Sequence, residues 1–225
     1  MKLILLILFT PRKAAEQIKA SPAWLTTFLV LAAVNIAATA ITHPYVVQET
    51  LAHLPSSATI ADKQRVMQSL SDEITATLTF LPVRLFIGWG SFSLVLFIIA
   101  RAFEPAETIR FQQVLALIIH TETVSVLAGV ATVVSVLTHT NAGHTGIPFS
   151  LSPFIDSQSF IMKALFSELN VFTLWQLVIQ IIGISVLCGF GRIRAMTVVV
   201  LVWVLSVFFD LGIIRLLVDR FHLLV

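Results

Sequence analysis

The sequence predicts an all-α, polytopic membrane protein: a bundle of five transmembrane helices with short interfacial helices and no soluble domain of any size. Three observations carry this expectation. Hydrophobic residues make up 57% of the 225 and charged residues only 12%, against about 25% charged in an ordinary soluble domain. A soluble fold of this length has too little interior to hide so much apolar surface. Five runs are long and apolar enough to cross hydrocarbon, which takes roughly 20 residues. The alternating ten-residue segments of a closed β-barrel do not occur. Backbone groups in lipid must be satisfied within their own segment, so the five runs are expected to be helices.

Residues 1–22 form the first element. Leu3 to Phe9 is apolar but far too short to span, and Arg12 and Lys13 follow it at once. It has the look of a minimal signal-peptide core, but a helix in the interface suits the flanking charges better. Thr10 then caps a second short helix with Pro11 at its first position. Ala14, Ala15 and Ile18 are expected to face lipid, with Arg12, Lys13 and Lys19 toward headgroups. The spans follow at residues 23–42, 79–100, 111–137, 171–190 and 195–217. Pro22 opens the first, Pro82 lies in the first turn of the second, and Gly189 and Gly191 flank the end of the fourth. Loops 43–78 and 139–170 and a tail, 218–225, fall on the opposite side from residues 1–22. Within the first loop, Ile60, Met67, Leu70, Ile74 and Leu78 recur at helical spacing. Thr59 is a plausible N-cap and Asp62 falls in the first turn. This amphipathic helix would lie on the membrane or dock on the bundle, either covering apolar surface or binding a partner.

Orientation follows from Lys and Arg. Lys2, Arg12, Lys13, Lys19, Arg101, Arg110, Arg192 and Arg194 lie on one side, and Lys63, Arg65, Lys163 and Arg220 on the other, although the second side has about twice the residues. The positive-inside rule puts the N-terminus in the cytoplasm and the C-terminus outside. The net charge of +2 and the lack of a basic face interleaved with aromatics argue against a nucleic-acid partner. Cys188 is the single cysteine and reads as a small packing residue.

Taken in order, the chain resembles the Yip-domain family, the Ypt/Rab-interacting membrane proteins, in its short bacterial branch. The opening FTPRKAAEQIKASPAW is similar to that family's start, through Phe9, Pro11, Arg12, Pro22 and Trp24. The third span carries Phe111, Gln113, Val114 and Ala116 in the family's pattern. ELNVFTLWQLVIQIIGISVLCGFGRIRA resembles its most recognisable block, through Phe172, Trp175, Gly183 and Ala195. The resemblance implies five spans, a cytoplasmic N-terminus and a role in membrane organisation, and it hands over no catalytic residue. With only residues 1–22 before the first span, a Rab-type GTPase is not expected as partner.

No HExxH, GxSxG, P-loop or CxxC is present. Gly88-Trp89-Gly90-Ser91 fits no nucleophile elbow and reads as close helix packing. His43, His53, His139, His144 and His222 fall outside the spans. They lack the cysteines or acidic cluster that would complete a metal site, so no cofactor or metal is expected. Polar and small residues inside the spans are sharper, because they are costly there. Glu122, Ser125, Gly129 and Thr132 share one face of the third span; Gln176, Gln180 and Gly183 share one of the fourth; Trp203, Ser206 and Asp210 share one of the fifth. Counting inward from the span ends brings Asn35, Glu122 and Gln180 to similar depths, a candidate polar layer in which Glu122 faces inward and is hydrogen-bonded or protonated. The layer either fixes helix register or serves a proton, ion or lipid headgroup. Arg84 and Asp210 either pair near the exterior ends of their helices or snorkel. His120 and Glu122, two positions apart, lie on different faces and make a poor catalytic pair.

The expected function is that of a non-enzymatic scaffold or adaptor in a bacterial plasma (inner) membrane. Its partners would be the lipid bilayer and, laterally, other membrane proteins or further copies of itself. The alternative is a small transporter or channel built on the polar layer around Glu122.

Overall fold

The computed structural model describes residues 2–55, 57–103, 109–138, 166 and 168–221, with side chains described for all of these except 2, 210, 211 and 213–221. The described residues form α1 (Lys2–Phe9), α2 (Pro11–Ala20), α3 (Leu25–Ala52), α4 (Ile60–Phe103), α5 (Phe111–Thr121), α6 (Thr123–Leu137), α7 (Val171–Cys188) and α8 (Arg192–Phe221). Five helical segments, α3, α4, α5 with α6, α7 and the first part of α8, are long and apolar enough to span a membrane.

The bundle is built around α5. From Gln113 to Thr121 every residue is buried, which suits a helix that is apolar on all sides. It packs against α1, α2, α3, α4 and α7. Leu96 of α4, Ile179 and Ile184 of α7, and Val198 and Val202 of α8 close the main core around Val114, Leu117 and Ile118. A second cluster, Phe28, Leu115 and Ile119, sits under Trp24, Leu85 and Trp89. Edge-to-face contacts of Phe28 with Trp89 and with Phe86, both at 5.7 Å, seal α3 to α4.

The third span runs over Phe111–Leu137 as expected, with a local irregularity at Glu122, across which the Glu122 N–H donates to the Ile118 carbonyl and the Val126 N–H to the Glu122 carbonyl, both at 3.0 Å. Three sequence expectations are corrected. Ala14, Ala15 and Ile18 are fully buried against protein instead of lipid. Their small side chains let α2 lie close along α7, where Ala14 and Ile18 join the core that holds Leu187 and Cys188. Thr10 gives α2 no side-chain cap; its hydroxyl donates back to the Leu6 carbonyl at 3.3 Å, closing the end of α1. Pro82 is not in a first turn, because α4 runs unbroken for 44 residues from Ile60. The amphipathic loop helix and the second span are therefore one rod. At 1.5 Å per residue it is about 66 Å long, about twice a hydrocarbon core.

The start of α3 explains its own overshoot. Thr27 Oγ1 lies 2.9 Å from His120 Nε2, and His120 is nine residues beyond Phe111, or about 14 Å along α5. The first span thus begins part-way up the bundle. Below it, α2 is tied to the foot of α5: the Gln113 amide donates to the Lys19 carbonyl at 2.8 Å, while its oxygen accepts from the Arg110 N–H at 2.9 Å. One buried glutamine thereby caps α5 and anchors α2. α7 ends at Gly189, whose φ of 69° is the left-handed conformation that a side chain would disfavour.

Candidate functional site

The irregular turn at Glu122 sits where the third span meets α7. Glu122 joins α5 to α6, and its side chain leaves the core toward α7. Gln176 Nε2 donates to Glu122 Oε1 at 2.7 Å, and Gln176 Oε1 accepts from Ser125 Oγ at 3.1 Å. One turn deeper, Gln180 Nε2 donates to Thr121 Oγ1 at 3.3 Å.

These groups wall a cavity of about 390 Å³ among α4, α6, α7 and α8. Glu122, Ser125, Gly129 and Thr132 come from α6 and its junction, Gln176 and Gln180 from α7, Trp203 and Ser206 from α8, and Phe92 from α4. Asn170, which caps α7 by accepting from the Thr173 N–H at 2.9 Å, and Glu168 stand at the other end. The polar stripes legible in the sequence therefore converge on one space, through all the members named for α6 and its junction, Gln176 and Gln180 of α7, and Trp203 and Ser206 of α8. Gly129 has nothing within 4 Å of where a Cβ would sit, so it lines the cavity instead of packing on a helix.

The proposed layer is assembled differently from its depth count. The Asn35 amide donates to the Leu31 carbonyl of its own helix at 2.8 Å. Gln180 reaches Thr121, and the amide on Glu122 is that of Gln176. Arg84 is exposed, and the side chain of Asp210 lies outside the described residues, so their pairing does too. His139, His144 and His222 also fall outside the described residues. His120 turns away from Glu122. Its Nδ1 faces the Ala116 carbonyl at 2.7 Å, which can only accept, so Nδ1 carries the hydrogen and Nε2 accepts from the Thr27 hydroxyl. It is a satisfied core histidine.

Sequence reasoning missed Phe92 as a member of this site, because its place in the wall depends on how α4 is set in the bundle. Trp89, visible in the sequence only within the glycine motif Gly88-Trp89-Gly90-Ser91, packs on Phe28. The motif's glycines also differ from expectation, since Gly88 and Gly90 have no neighbour among the described residues within 4 Å of an added Cβ. Gly183 does make a close approach: a Cβ there would fall on the Leu117 side chain. Among the other resemblance positions, Trp24 meets Phe28 edge-to-face at 6.4 Å and Phe86 at a tilt at 5.8 Å. Phe111 meets Phe97 edge-on at 6.0 Å. Phe172 and Trp175 pack on the core. Arg12 pairs with Glu16 at 3.4 Å on the surface, and Pro11 and Pro22 are half-buried.

Five spans, one of them with its first half buried from Gln113 to Thr121, and a polar cavity among α4, α6, α7 and α8 define a multi-pass α-helical membrane protein. A family model, the Yip1 domain, matches residues 5–214, and the chain belongs to that family. Comparison with curated proteins and with solved structures returns no match.

Proposed function

We propose that this chain is a non-enzymatic scaffold or adaptor of the Yip1 type, acting by lateral contacts in the plane of a bacterial inner membrane, with its N-terminus in the cytoplasm. The observation that carries the reading is how little of the first two spans the bundle uses. Only 22% of the most apolar stretch of α3 and 17% of that of α4 is buried inside the protein, against 56% for α5 with α6. Leu29, Val83 and Ile87 point outward, and Gly90, on the same face of α4 as Val83 and Ile87, leaves room for the backbone of another helix. Small residues on an outward face allow such close approach, which is how helices associate in lipid.

Site-specific photocrosslinking tests this. A photoreactive residue at Leu29, Val83 or Ile87 is expected to give discrete protein adducts in intact membranes, and one at the buried Leu117 only adducts within the chain. Adducts to lipid alone from all three outward sites, together with ion or solute flux through vesicles holding the purified protein, would replace this reading with transport.

A further inference from the structure

Away from Glu122, a groove of about 870 Å³ runs where α2, the end of α7 and the start of α8 meet. Its chemistry changes with depth. Gly189 and Arg192 line it at the turn between α7 and α8. Ile181 and Ile182 lie about 10 Å back along α7 from that turn, and Met196 about 6 Å into α8. Together with Ile193 they make the deeper part apolar, and Ile193 and Met196 are 79% and 52% exposed, so protein does not cover them. Arg12 and Glu16 of α2 join Arg192 in the polar part. The acceptors there are already engaged. Glu16 Oε1 accepts from Arg12 Nε at 3.4 Å, the Val186 carbonyl from Lys19 Nζ at 3.3 Å, and the Phe190 carbonyl from Ser185 Oγ at 2.7 Å. Donors are in surplus. A guanidinium has five N–H groups, and the bond to Glu16 uses one of those on Arg12. Arg192 has no ion pair among the described residues. The first backbone bond of α8 runs from the Ala195 N–H to the Gly191 carbonyl, so the N–H groups of Arg192 and Ile193 precede the helical ladder. Gly191 has no described neighbour within 4 Å of an added Cβ, which leaves the approach to this backbone open.

We propose that this groove holds an anionic phospholipid, with its phosphate against Arg12, Arg192 and the first turn of α8 and an acyl chain along Ile181, Ile182, Ile193 and Met196. Charge complementarity argues for the headgroup. The planar fork of a guanidinium matches phosphate oxygens in pairs, and a helix N-terminus adds N–H donors and a positive partial charge. The apolar part argues for a lipid over a soluble phosphate, because a free anion would leave those side chains without a partner. Basic pockets between spanning helices at a membrane surface are where such headgroups bind. The site requires only that this end of the bundle meets a membrane surface. It is independent of the lateral-contact reading, which rests on the outward faces of α3 and α4.

The test uses purified full-length protein in phosphatidylcholine nanodiscs into which phosphatidylglycerol is titrated, with bound lipid read by native mass spectrometry. Phosphatidylglycerol is expected to stay on the protein in preference to phosphatidylcholine, whose own quaternary ammonium would face the two arginines. Arg192→Gln keeps the polarity and removes the charge, and it is expected to lower that preference about fivefold, as for one basic contact at an anionic surface. Arg12→Gln is expected to act in the same direction. Both positions are exposed, so neither change disturbs the core. Arg101, exposed at the end of α4 and outside the groove, is the control. Arg101→Gln removes the same charge and should leave the preference unchanged. Glycerol 3-phosphate, which has the phosphate and no chains, should not displace the lipid. Retention of both lipids alike would overturn the proposal, as would folded Arg12→Gln and Arg192→Gln variants with the parental preference. An equal loss from Arg101→Gln would replace the site with diffuse attraction to the surface. Displacement by glycerol 3-phosphate would replace the lipid with a soluble anion.

Discussion

At the scale of single residues, the test of the packing is glycine. An alanine at an unobstructed helical position is about 1 kcal/mol better than glycine, so Gly88→Ala and Gly90→Ala, with open space around them, should leave thermal stability unchanged or raise it. Gly183→Ala should lower it by about 1–3 kcal/mol, the usual range for overpacking, because the new methyl falls on Leu117. Adding Leu117→Ala should make the two changes non-additive, since alanine at 183 then fills vacated volume. A double-mutant cycle from thermal unfolding of the purified protein measures this, and strict additivity would mean the contact is absent. The same scale shows what the sequence could and could not reveal of the site. Periodicity placed Glu122 with Ser125 and Gln176 with Gln180, because faces repeat along a helix whatever it packs against. The partner on Glu122 was not legible, because a depth count supplies height and no azimuth. It also assumed that every span starts at one level. α3 starts where it meets His120, so Asn35, eight residues beyond Thr27, lies about 12 Å farther along and bonds within its own helix.

At the scale of elements, α4 is the one whose length was hidden by a boundary drawn on hydropathy. Its outer part is polar enough to read as a loop helix and its inner part apolar enough to read as a span, yet nothing between them breaks the helix. The start of this rod is held by a reciprocal cap. The Thr59 hydroxyl accepts from the Asp62 N–H at 3.2 Å, and Asp62 Oδ2 accepts from the Thr59 hydroxyl at 2.6 Å and from its N–H at 2.9 Å. The Thr59 hydroxyl and then its backbone N–H hold the Asp62 carboxyl below its ordinary value. A depressed carboxyl contributes stability that is present above its unfolded value and lost as pH falls through the folded one. The protection of amides in the first turn of α4, measured as exchange relative to the intrinsic rate at each pH, should therefore be kept at neutral pH and fall in acid, a fall that Asp62→Asn should lack. Farther along, Leu70 and Ile74 face Thr39, Thr42 and Val46 of α3 across a shallow groove, while Asp72 is exposed. Leu70→Asp and Ile74→Asp should each cost about 1–3 kcal/mol, as for a polar group buried without a partner, and Asp72→Ala should stay within about 0.5 kcal/mol, as for an ordinary surface change. The yield of folded protein from membranes and its unfolding temperature report the difference; equal tolerance of all three would mean that the α3–α4 contact does not hold the hairpin.

For the whole molecule, five apolar runs sufficed to read a five-span bundle, because lipid leaves a hydrophobic helix few alternatives. The central place of α5 was not readable, since a run that is apolar all round looks alike whether it meets protein or lipid. Contacts divide the bundle into two ends. Lys19 Nζ donates to the Val186 carbonyl at 3.3 Å and Gln113 to the Lys19 carbonyl. Therefore α2, the start of α5 and the end of α7 share one end, and with them go Arg12, Lys13, Arg192 and Arg194. The far end of α3 and the start of α4, with His53 and Lys63, form the other. Short basic segments are retained in the cytoplasm, so the first end should face inward. Single cysteines in a Cys188→Ala background test this at four exposed positions. His53→Cys and Lys63→Cys should react with an impermeant maleimide in intact cells, whereas Lys13→Cys and Arg192→Cys should react only after lysis. If Arg192→Cys is labelled in intact cells while Lys63→Cys is protected, the molecule is inverted. The end of the cavity at Glu168 and Asn170 would then open to the cytoplasm.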